Sequence, residues 1–273
     1  MIYVVTAVHN RREITKKFIE SLKRQTCGDI HLVLVDDGSD DGTDEMVNAE
    51  FPSSTILYGS GNLWWGGALH KAYKWLRDNA SDGDILLISN DDTRFDDRYL
   101  ETGAKLVREH PNTLVAGCGY GLQGDRQLDG IFHHSFTDGT GRLLPADSEG
   151  NCASTRSLFL TVGMMKRIGG FHPILLPQYF SDFEWTIRAG RKGFRIRSFQ
   201  ELAYRFDEGA TGDNQYDKLT WKRLFGKRSG LNPLYRLNFV LLSTPLPYLP
   251  GHLFHQAGRY LKKLPLIRKM DRK

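Results

Sequence analysis

Three acidic clusters contain the residues of this sequence that could carry out chemistry: DDGS at 36–39, NDD at 90–92 and SDFE at 181–184. A carboxylate in the first cluster can accept hydrogen bonds from a nucleobase N–H or a ribose hydroxyl, and the glycine lets the backbone approach a flat ligand. Adjacent acids in the second repel each other unless a hard cation neutralises them, as Mg²⁺ or Mn²⁺ does beside a diphosphate. An acid in the third, beside aromatic rings that exclude water, can deprotonate a hydroxyl group as a general base.

Each cluster also has a purely structural interpretation. The residues at 36–39 can cap the following helix, those at 90–92 can form a solvated turn, and Asp182 can be an N-cap. The apolar run that precedes 90–92 favours a function for that cluster. For the first cluster the two interpretations are balanced, and for the third they are compatible.

The elements that must position these clusters follow from the hydrophobic pattern. Apolar runs predict strands at residues 2–8, 30–35, 55–58 and 84–89, and helical spacing predicts helices at 13–24, 43–49 and 67–79. Continuous apolar strands that alternate with helices indicate a buried, mostly parallel sheet in an α/β fold. The first two clusters each follow the end of a strand, at the edge where open α/β sheets bind ligands. We therefore expect the acids to share one rim.

The second half of the chain has a less regular pattern. A strand is predicted at 158–162 and a helix at 183–192, whereas 117–150, rich in glycine and polar residues, is predicted to be an excursion or a flexible loop. We divide the chain into a nucleotide-binding and catalytic domain, residues 1–215, and a basic C-terminal extension with helical character, residues 216–273.

The charge of the chain is unevenly distributed. The 273 residues carry a net charge of +5, but residues 218–273 alone contain 13 Lys or Arg and one acid, for a net charge of +12. Aromatic residues are interleaved with these bases, a composition that suits an anionic membrane surface or a nucleic acid. We favour the membrane and expect no nucleic acid, because the preceding domain is acidic and has no nucleic-acid motif. The alternative is a basic helical cap folded back on the domain.

Cysteines and apolar segments indicate the compartment. Cys27, Cys118 and Cys152 are far apart and have no spacing typical of zinc or redox motifs. The apolar run at 2–6 is too short for a signal peptide, and the stretch at 239–254 is interrupted by prolines and shorter than the ~20 residues of a spanning helix. These features predict a cytoplasmic protein, at most peripheral on the inner face of the membrane.

Four stretches in a fixed order resemble glycosyltransferase family 2, the GT-A-fold enzymes typified by bacterial surface-polysaccharide synthases. They are residues 4–10, 35–43, 88–93 and 168–193. The resemblance implies a Rossmann-like GT-A domain and an inverting, metal-dependent hexosyl or deoxyhexosyl transfer. The donor would be a UDP- or dTDP-sugar and the acceptor a glycan or lipid-linked hydroxyl, in surface polysaccharide or glycolipid assembly.

On the donor side, the resemblance implies roles for single residues. Thr6 and Asn10 would lie against the nucleotide. Asp37 would read the base, and Asp91 would contact the ribose or the donor sugar. Trp65 lies in the segment over the donor and could stack on a sugar or base, although core packing is the commoner use of such a residue.

At the reaction centre, Asp92 would hold Mg²⁺ or Mn²⁺ on the diphosphate and Asp182 would be the general base. Asn90 stands where many relatives have another acid, so Asp92 would hold the cation nearly alone. Asp207 could substitute for a histidine that relatives often supply near that point. Arg156 could hold a phosphate, with a surface salt bridge as the alternative.

Two other functions remain open. One is an inactive module that binds a nucleotide or glycan, against which the joint presence of Asp37, Asp92 and Asp182 argues. The other is a nucleotidyltransferase, whose phosphate loop usually contains glycine, whereas residues 7–12 have none.

Overall fold

The computed structural model describes residues 1–209, 225–226 and 229–270, with side chains as far as residue 261. The strands are β1 Ile2–Val8, β2 Ile30–Asp36, β3 Ser54–Tyr58, β4 Ile85–Ser89, β5 Thr93–Arg94, β6 Thr113–Gly121, β7 Gln127–Asp129, β8 Ile131–His134, β9 Gly141–Leu143, β10 Glu149–Gly150, β11 Cys152–Ala153, β12 Ser157–Thr161 and β13 Arg195–Phe206. The helices are α1 Arg12–Lys23, α2 Thr43–Glu50, α3 Trp64–Asn79, α4 Tyr99–Glu109, α5 Val162–Ile168, α6 Ser181–Arg191, α7 Pro233–Ser243 and α8 Leu249–Met270, with a 3₁₀ turn at Leu246–Tyr248.

A ten-stranded sheet forms the centre of the molecule. Eight of its strands follow the order β10-β13-β6-β12-β4-β1-β2-β3, while β5 pairs with β13 and β7 with β6. The run β4-β1-β2-β3 is parallel, and β12 is antiparallel to both of its neighbours. The predicted α/β fold with a mostly parallel sheet is confirmed.

The parallel register brings the carboxyl ends of the central strands to one edge. Val8 at the end of β1 pairs with Asp36 at the end of β2, and Val5 pairs with Ile88 near the end of β4. Because these strands are mostly apolar and buried, the acidic side chains of both clusters appear only where the strands end. The clusters at 36–39 and 90–92 therefore share one rim, as expected.

Helices cover both faces of this sheet. Phe18 and Leu22 of α1 belong to the apolar core on one face, and Leu69 and Leu76 of α3 belong to the core on the other. The amphipathic spacing that predicted these helices is the spacing of their buried side chains. The sheet is consequently held rigidly beneath the rim.

The prediction of a flexible loop at 117–150 is wrong. This segment contains the end of β6 and the strands β7 to β10, and β8 lies between β9 and β11 in a second, three-stranded sheet. These strands are two to four residues long and carry no sustained apolar run, so periodicity does not reveal them.

The C-terminal extension packs against the main domain. Phe239 and Val240 of α7 are buried, and α7 contacts α6 and α8. The predicted domain boundary at 215 and 216 lies outside the described residues. Among the described helices, none combines the length and apolarity needed to cross a bilayer.

Candidate active site

The loops that follow β1 and β2 are tied to each other at the rim. The Asn10 backbone N–H donates to Ser39 Oγ at 3.0 Å, and Asn10 Oδ1 accepts from the Asp40 backbone N–H at 2.9 Å. Asn10 has a left-handed conformation, with φ of 52°, which asparagine tolerates better than most residues. Its exposed side chain is thus held in place at the edge where the sequence predicts a nucleotide.

Asp37 connects β2 to the start of α3. Its Oδ1 accepts from Gly61 N at 2.8 Å, and its Oδ2 accepts from Leu63 N at 2.8 Å and Trp64 N at 3.0 Å. A carboxylate has about four acceptor positions, so three backbone hydrogen bonds leave about one for a ligand. Asp37 is therefore first an anchor for the loop before α3.

The structure places Thr6 and Trp65 deeper than the rim. Thr6 lies fully buried on β1, and its hydroxyl has no hydrogen-bond partner among the described residues. Trp65, at the start of α3, is partly buried and packs on the core, and its Nε1–H donates to Thr155 Oγ1 at 3.1 Å. Core packing, one of the two interpretations of Trp65, is observed, and contact of either residue with a nucleotide stays a prediction.

Asp91 and Asp92 follow β4 and are both buried. Asp91 Oδ2 accepts from Thr15 Oγ1 at 3.0 Å and lies 3.2 Å from Arg11 Nε. Arg11 Nη2 also lies 3.7 Å from Asp92 Oδ2. Burial raises the pKa of Asp91 to about 6, with Asp92 acting in the same direction and Arg11 against it. The pair of acids is thus held together by a cation that the protein itself supplies.

A second arginine links this pair to the other side of the site. Arg156 Nη1 donates to Asp92 Oδ1, and Arg156 Nε donates to Asp129 Oδ2 at 3.1 Å. Tyr204 OH donates to the same Asp129 oxygen at 2.9 Å, and the Arg156 guanidinium lies 4.4 Å from the centre of the Phe206 ring. Arg156 is nearly buried, so the expected surface salt bridge is a buried one.

The site can be tested for a divalent cation on its own atoms. No group of three or more His, Cys, Asp or Glu in the described part of the chain is arranged to hold a metal ion. Asp92 Oδ2, however, is a buried carboxylate oxygen without a hydrogen bond. One carboxylate together with diphosphate oxygens and water is a usual ligand set for Mg²⁺. The residues therefore fit a cation shared between Asp92 and a bound diphosphate.

Asp182 lies in the first turn of α6. Its Oδ1 accepts from the Phe183 backbone N–H at 2.9 Å, and it makes no ion pair with any described residue. Burial raises the pKa of Asp182 to about 6, and the hydrogen bond from Phe183 and the charge of Arg156 act against this shift. Asp182 is therefore a carboxylate that can gain and lose a proton near neutral pH.

The segment that precedes Asp182 is fixed against the start of α3. Gly66 N donates to Pro177 O at 2.8 Å, and a Cβ on Gly66 would lie 2.4 Å from Leu176 O. Gln178 Oε1 accepts from Trp65 N at 3.0 Å. Asp37 binds the backbone of the loop before α3 from the other side. The start of α3, which contains Trp65, therefore contacts both Asp37 and the segment that leads to Asp182.

Phe180 precedes Asp182 by two residues and also constrains its position. It has a φ of 67°, which is rare for an aromatic residue and is a form of strain found at functional sites. Its ring stacks on Phe239 of α7 at 5.2 Å. The C-terminal extension thus supports the backbone that carries Asp182.

A buried histidine cluster joins the three-stranded sheet to the extension. The His134 ring lies 5.7 Å from the His252 ring and 5.3 Å from Phe239. Its Nε2 is buried without a hydrogen-bond partner among the described residues. Burial lowers the pKa of His134 to about 4, and His252 acts in the same direction. His133, next to it, is exposed.

Sequence reasoning missed the residues that connect the two sides of the site. Arg11, Asp129 and Tyr204 gave no motif, because their partners lie in distant parts of the chain. Their role depends on burial and on long-range contacts, and the sequence alone shows neither. Asp207 does lie at the site, since its backbone N–H donates to the Asp92 carbonyl at 3.3 Å.

Comparison with known proteins identifies this arrangement. The model of a family described as Glycosyl transferase family 2 matches residues 3–162. No curated protein sequence matches significantly. The family match includes β1, β2, β4 and the clusters at 36–39 and 90–92, and it ends before Asp182.

Solved structures of glycosyltransferases share the fold. A crystal structure of S. aureus TarS has a TM-score of 0.59 at 18% identity, covering 76% of this chain and 36% of that one. TarS 1–349 in complex with UDP has a TM-score of 0.57 at 16% identity, covering 76% and 60%. The mannosyltransferase PcManGT from Pyrobaculum calidifontis, in complex with GDP-Man and Mn²⁺, has a TM-score of 0.56 at 15% identity, covering 75% and 56%. The chain thus spans only part of each, and at these identities the likeness shows the GT-A fold.

Proposed function

The chain belongs to glycosyltransferase family 2, and on that premise we propose that it transfers a sugar from a nucleotide diphosphate donor to an acceptor hydroxyl, with inversion at the anomeric carbon. The observation that carries this proposal is the linked set Asp92, Arg156 and Asp129 across the rim, whose charges reach Asp182. Arg156 bridges the buried acids Asp92 and Asp129, and the charges of Arg156 and Asp129 both act on the pKa of Asp182, which is raised to about 6. Group transfer from a diphosphate needs these two kinds of acid next to each other.

On the donor side, the protein neutralises and positions the diphosphate. Asp92 would hold Mg²⁺ or Mn²⁺, which when bound stabilises the negative charge of the leaving diphosphate. Arg11 is within reach of Asp91 and Asp92 and is partly exposed, so its guanidinium can also face phosphate oxygens. Asn10 and the remaining acceptor position of Asp37 would contact the nucleoside, with Asp91 toward the ribose or the sugar.

On the acceptor side, Asp182 would act as the general base. Its carboxylate accepts the proton of the acceptor hydroxyl while that oxygen attacks the anomeric carbon and the bond from this carbon to the diphosphate oxygen breaks. One in-line displacement leaves the configuration inverted. The backbone hydrogen bond from Phe183 and the support of Phe180 hold the carboxylate in the fixed position that this geometry requires.

The substrates are proposed by chemical class. UDP in the TarS complex and GDP-Man in PcManGT support a nucleotide-sugar donor, and we propose a UDP- or dTDP-hexose or deoxyhexose. The acceptor would be a glycan or a lipid-linked glycan in surface polysaccharide or glycolipid assembly, at the cytoplasmic face of a membrane.

The test is turnover of a panel of nucleotide sugars by the purified protein with Mg²⁺, Mn²⁺ or a chelator. We expect metal-dependent hydrolysis or transfer of one donor, lost in Asp92→Ala and in Asp182→Asn. Asp97→Asn is the matched control, because this acid is exposed and forms a surface ion pair with Arg24. Nucleotide binding without turnover on any donor would instead indicate a binding module, and formation of a nucleotide sugar from a nucleoside triphosphate would indicate a nucleotidyltransferase.

A further inference from the structure

Helix α7 has two faces of opposite character. Phe239 and Val240 pack inward, whereas Leu234, Leu237 and Leu241 point outward, with exposures of 62%, 43% and 52%. The outward residues are spaced by three and four positions, so they form one stripe along the helix. An apolar stripe that the described part of the chain leaves exposed is unusual for a protein surface and marks an interaction site.

Exposed apolar side chains also lie on two other segments next to α7. Leu246 in the 3₁₀ turn is 81% exposed and Phe254 of α8 is 78% exposed. On the other side, Ile174 is 87% exposed, and its neighbour Leu175 is fixed to α7 because its carbonyl accepts from Asn238 Nδ2 at 3.0 Å. Three separate segments therefore present large apolar side chains around one helix. We call these segments, Ile174–Leu175, α7 and residues 246–254, the apolar face.

Charge decides what this face can bind. No acidic residue occurs from 218 to 270, and residues 218–273 carry a net charge of +12. A second copy of the chain would bring an equal positive charge to the interface, which opposes association. Apolar helices flanked only by bases are instead the pattern of elements that lie in the interface of an anionic bilayer.

We propose that the apolar face docks on an anionic lipid bilayer. Ile174, Leu241, Leu246 and Phe254 enter the boundary between headgroups and acyl chains, and the net charge of +12 on residues 218–273 attracts the extension to anionic headgroups. Because α7 also packs on Phe180 through Phe239, the docked protein has the start of α6 close to the membrane surface. The docking itself does not depend on the proposed reaction.

The experiment is co-sedimentation of the full chain with vesicles, without donor or acceptor. We expect binding to phosphatidylcholine vesicles that contain phosphatidylglycerol, weak binding to phosphatidylcholine alone, and a loss of affinity as the salt concentration rises. Leu241→Glu and Phe254→Glu, on different helices, should each weaken binding about tenfold, because each removes an inserted apolar side chain and adds a repelled charge.

Leu122→Glu is the matched control, because Leu122 is 47% exposed and lies between β6 and β7, away from the apolar face. It should bind as the unaltered protein does. Unchanged thermal unfolding of each variant would show that the fold is retained. Binding of Leu241→Glu and Phe254→Glu to anionic vesicles with the affinity of the unaltered protein, or no binding by the unaltered protein itself, would overturn the proposal. A concentration-dependent dimer that Leu241→Glu dissociates, without vesicle binding, would assign the face to a second copy.

Discussion

The two sides of the site treat their carboxylates differently. At the rim after β4, Asp91 and Asp92 each lie beside an arginine, and Asp129 shares one of them. At the start of α6, Asp182 makes no ion pair with a described residue and accepts one backbone hydrogen bond. On the first side Asp92 and Asp129 share the charge of Arg156, although the pKa of Asp91 is raised to about 6 even beside Arg11. On the second side Asp182 is partly buried with little to stabilise its ionised form.

This difference is the one that glycosyl transfer requires. A group that binds a charged diphosphate must stay charged, and matched partners keep it so. A group that removes a proton works best when its pKa is close to the working pH, and burial without a partner raises a carboxyl pKa toward that range. Substitution of Asp182 is therefore expected to change the turnover number, and substitution of Arg156 is expected to change the free energy of unfolding.

The largest effect is expected at Asp182. Asp182→Asn should lower the turnover number by about 10²–10⁴-fold, because the amide cannot accept the proton of the acceptor. The same variant should be more stable than the unaltered protein. The pKa of Asp182 rises from 3.8 to about 6 on folding, so above pH 6 the folded state bears the free-energy cost of an ionised, partly desolvated acid, and this cost disappears as the pH falls below 4.

Urea unfolding at several pH values measures this stability. We expect Asp182→Asn to gain about 3 kcal/mol at pH 7.5 and to gain nothing near pH 3. The carbonyl oxygen of the Asn side chain can still accept from the Phe183 N–H, so the hydrogen bond is kept. Comparing the variant with the parent removes the contribution of Asp91, whose pKa is also raised to about 6. A variant with less stability than the parent at pH 7.5 would show that the charge of Asp182 is compensated after all.

The next effect is expected at Arg156, on the compensated side. Arg156→Met should lower the free energy of unfolding by about 3–5 kcal/mol, because it leaves Asp92 and Asp129 buried without their shared cation. The matched control is Arg98→Met, which removes an arginine that is 75% exposed and pairs with Glu101. An exposed pair contributes about 0–1 kcal/mol. The free energy of unfolding of both variants is measured by urea unfolding at pH 7.5. Similar losses of stability would mean that Arg156 does not compensate the charges of Asp92 and Asp129.

The sequence predicted the rim better than it predicted the link across it. Strands β1, β2 and β4 are continuous apolar runs that end in polar clusters, so both their existence and their common edge follow from the residue pattern. Asp129 and Tyr204 meet Arg156 only because β7 and β13 pair with β6. The β6–β13 pairing joins residues up to 85 positions apart, such as Gly121 and Phe206, and no local spacing encodes it.

For the C-terminal extension, the sequence left two interpretations open, and the structure supports a part of each. Composition alone suggested either a membrane surface or a cap folded back on the domain. The structure shows that α7 does pack back on α6, through Phe239, and also that its other face stays exposed. The two interpretations therefore apply to opposite faces of one helix, which a residue count over the whole segment cannot separate.

The smallest effect is expected at His134, where the extension meets the three-stranded sheet. Its pKa falls from 6.5 to about 4 on folding, so the unfolded chain binds a proton that the folded protein does not between these pH values. The titration of this histidine therefore does not change the free energy of unfolding above pH 6.5, and it lowers that free energy as the pH falls toward 4. His134→Phe should remove that loss and gain about 1–2 kcal/mol over the parent at pH 5, relative to the difference at pH 7.5.

The neighbouring exposed residue supplies the control. His133→Phe changes the same atoms on the same strand, but its ring meets solvent in the folded protein as in the unfolded chain, so the pH dependence of unfolding should stay that of the parent. If His134→Phe and His133→Phe gave the same pH dependence, the buried histidine would have a compensating partner when protonated. The protonated His134 ring would then be stabilised by a partner where the extension meets the domain. Of the two groups, His134 and Asp182, only Asp182 would lack such a partner.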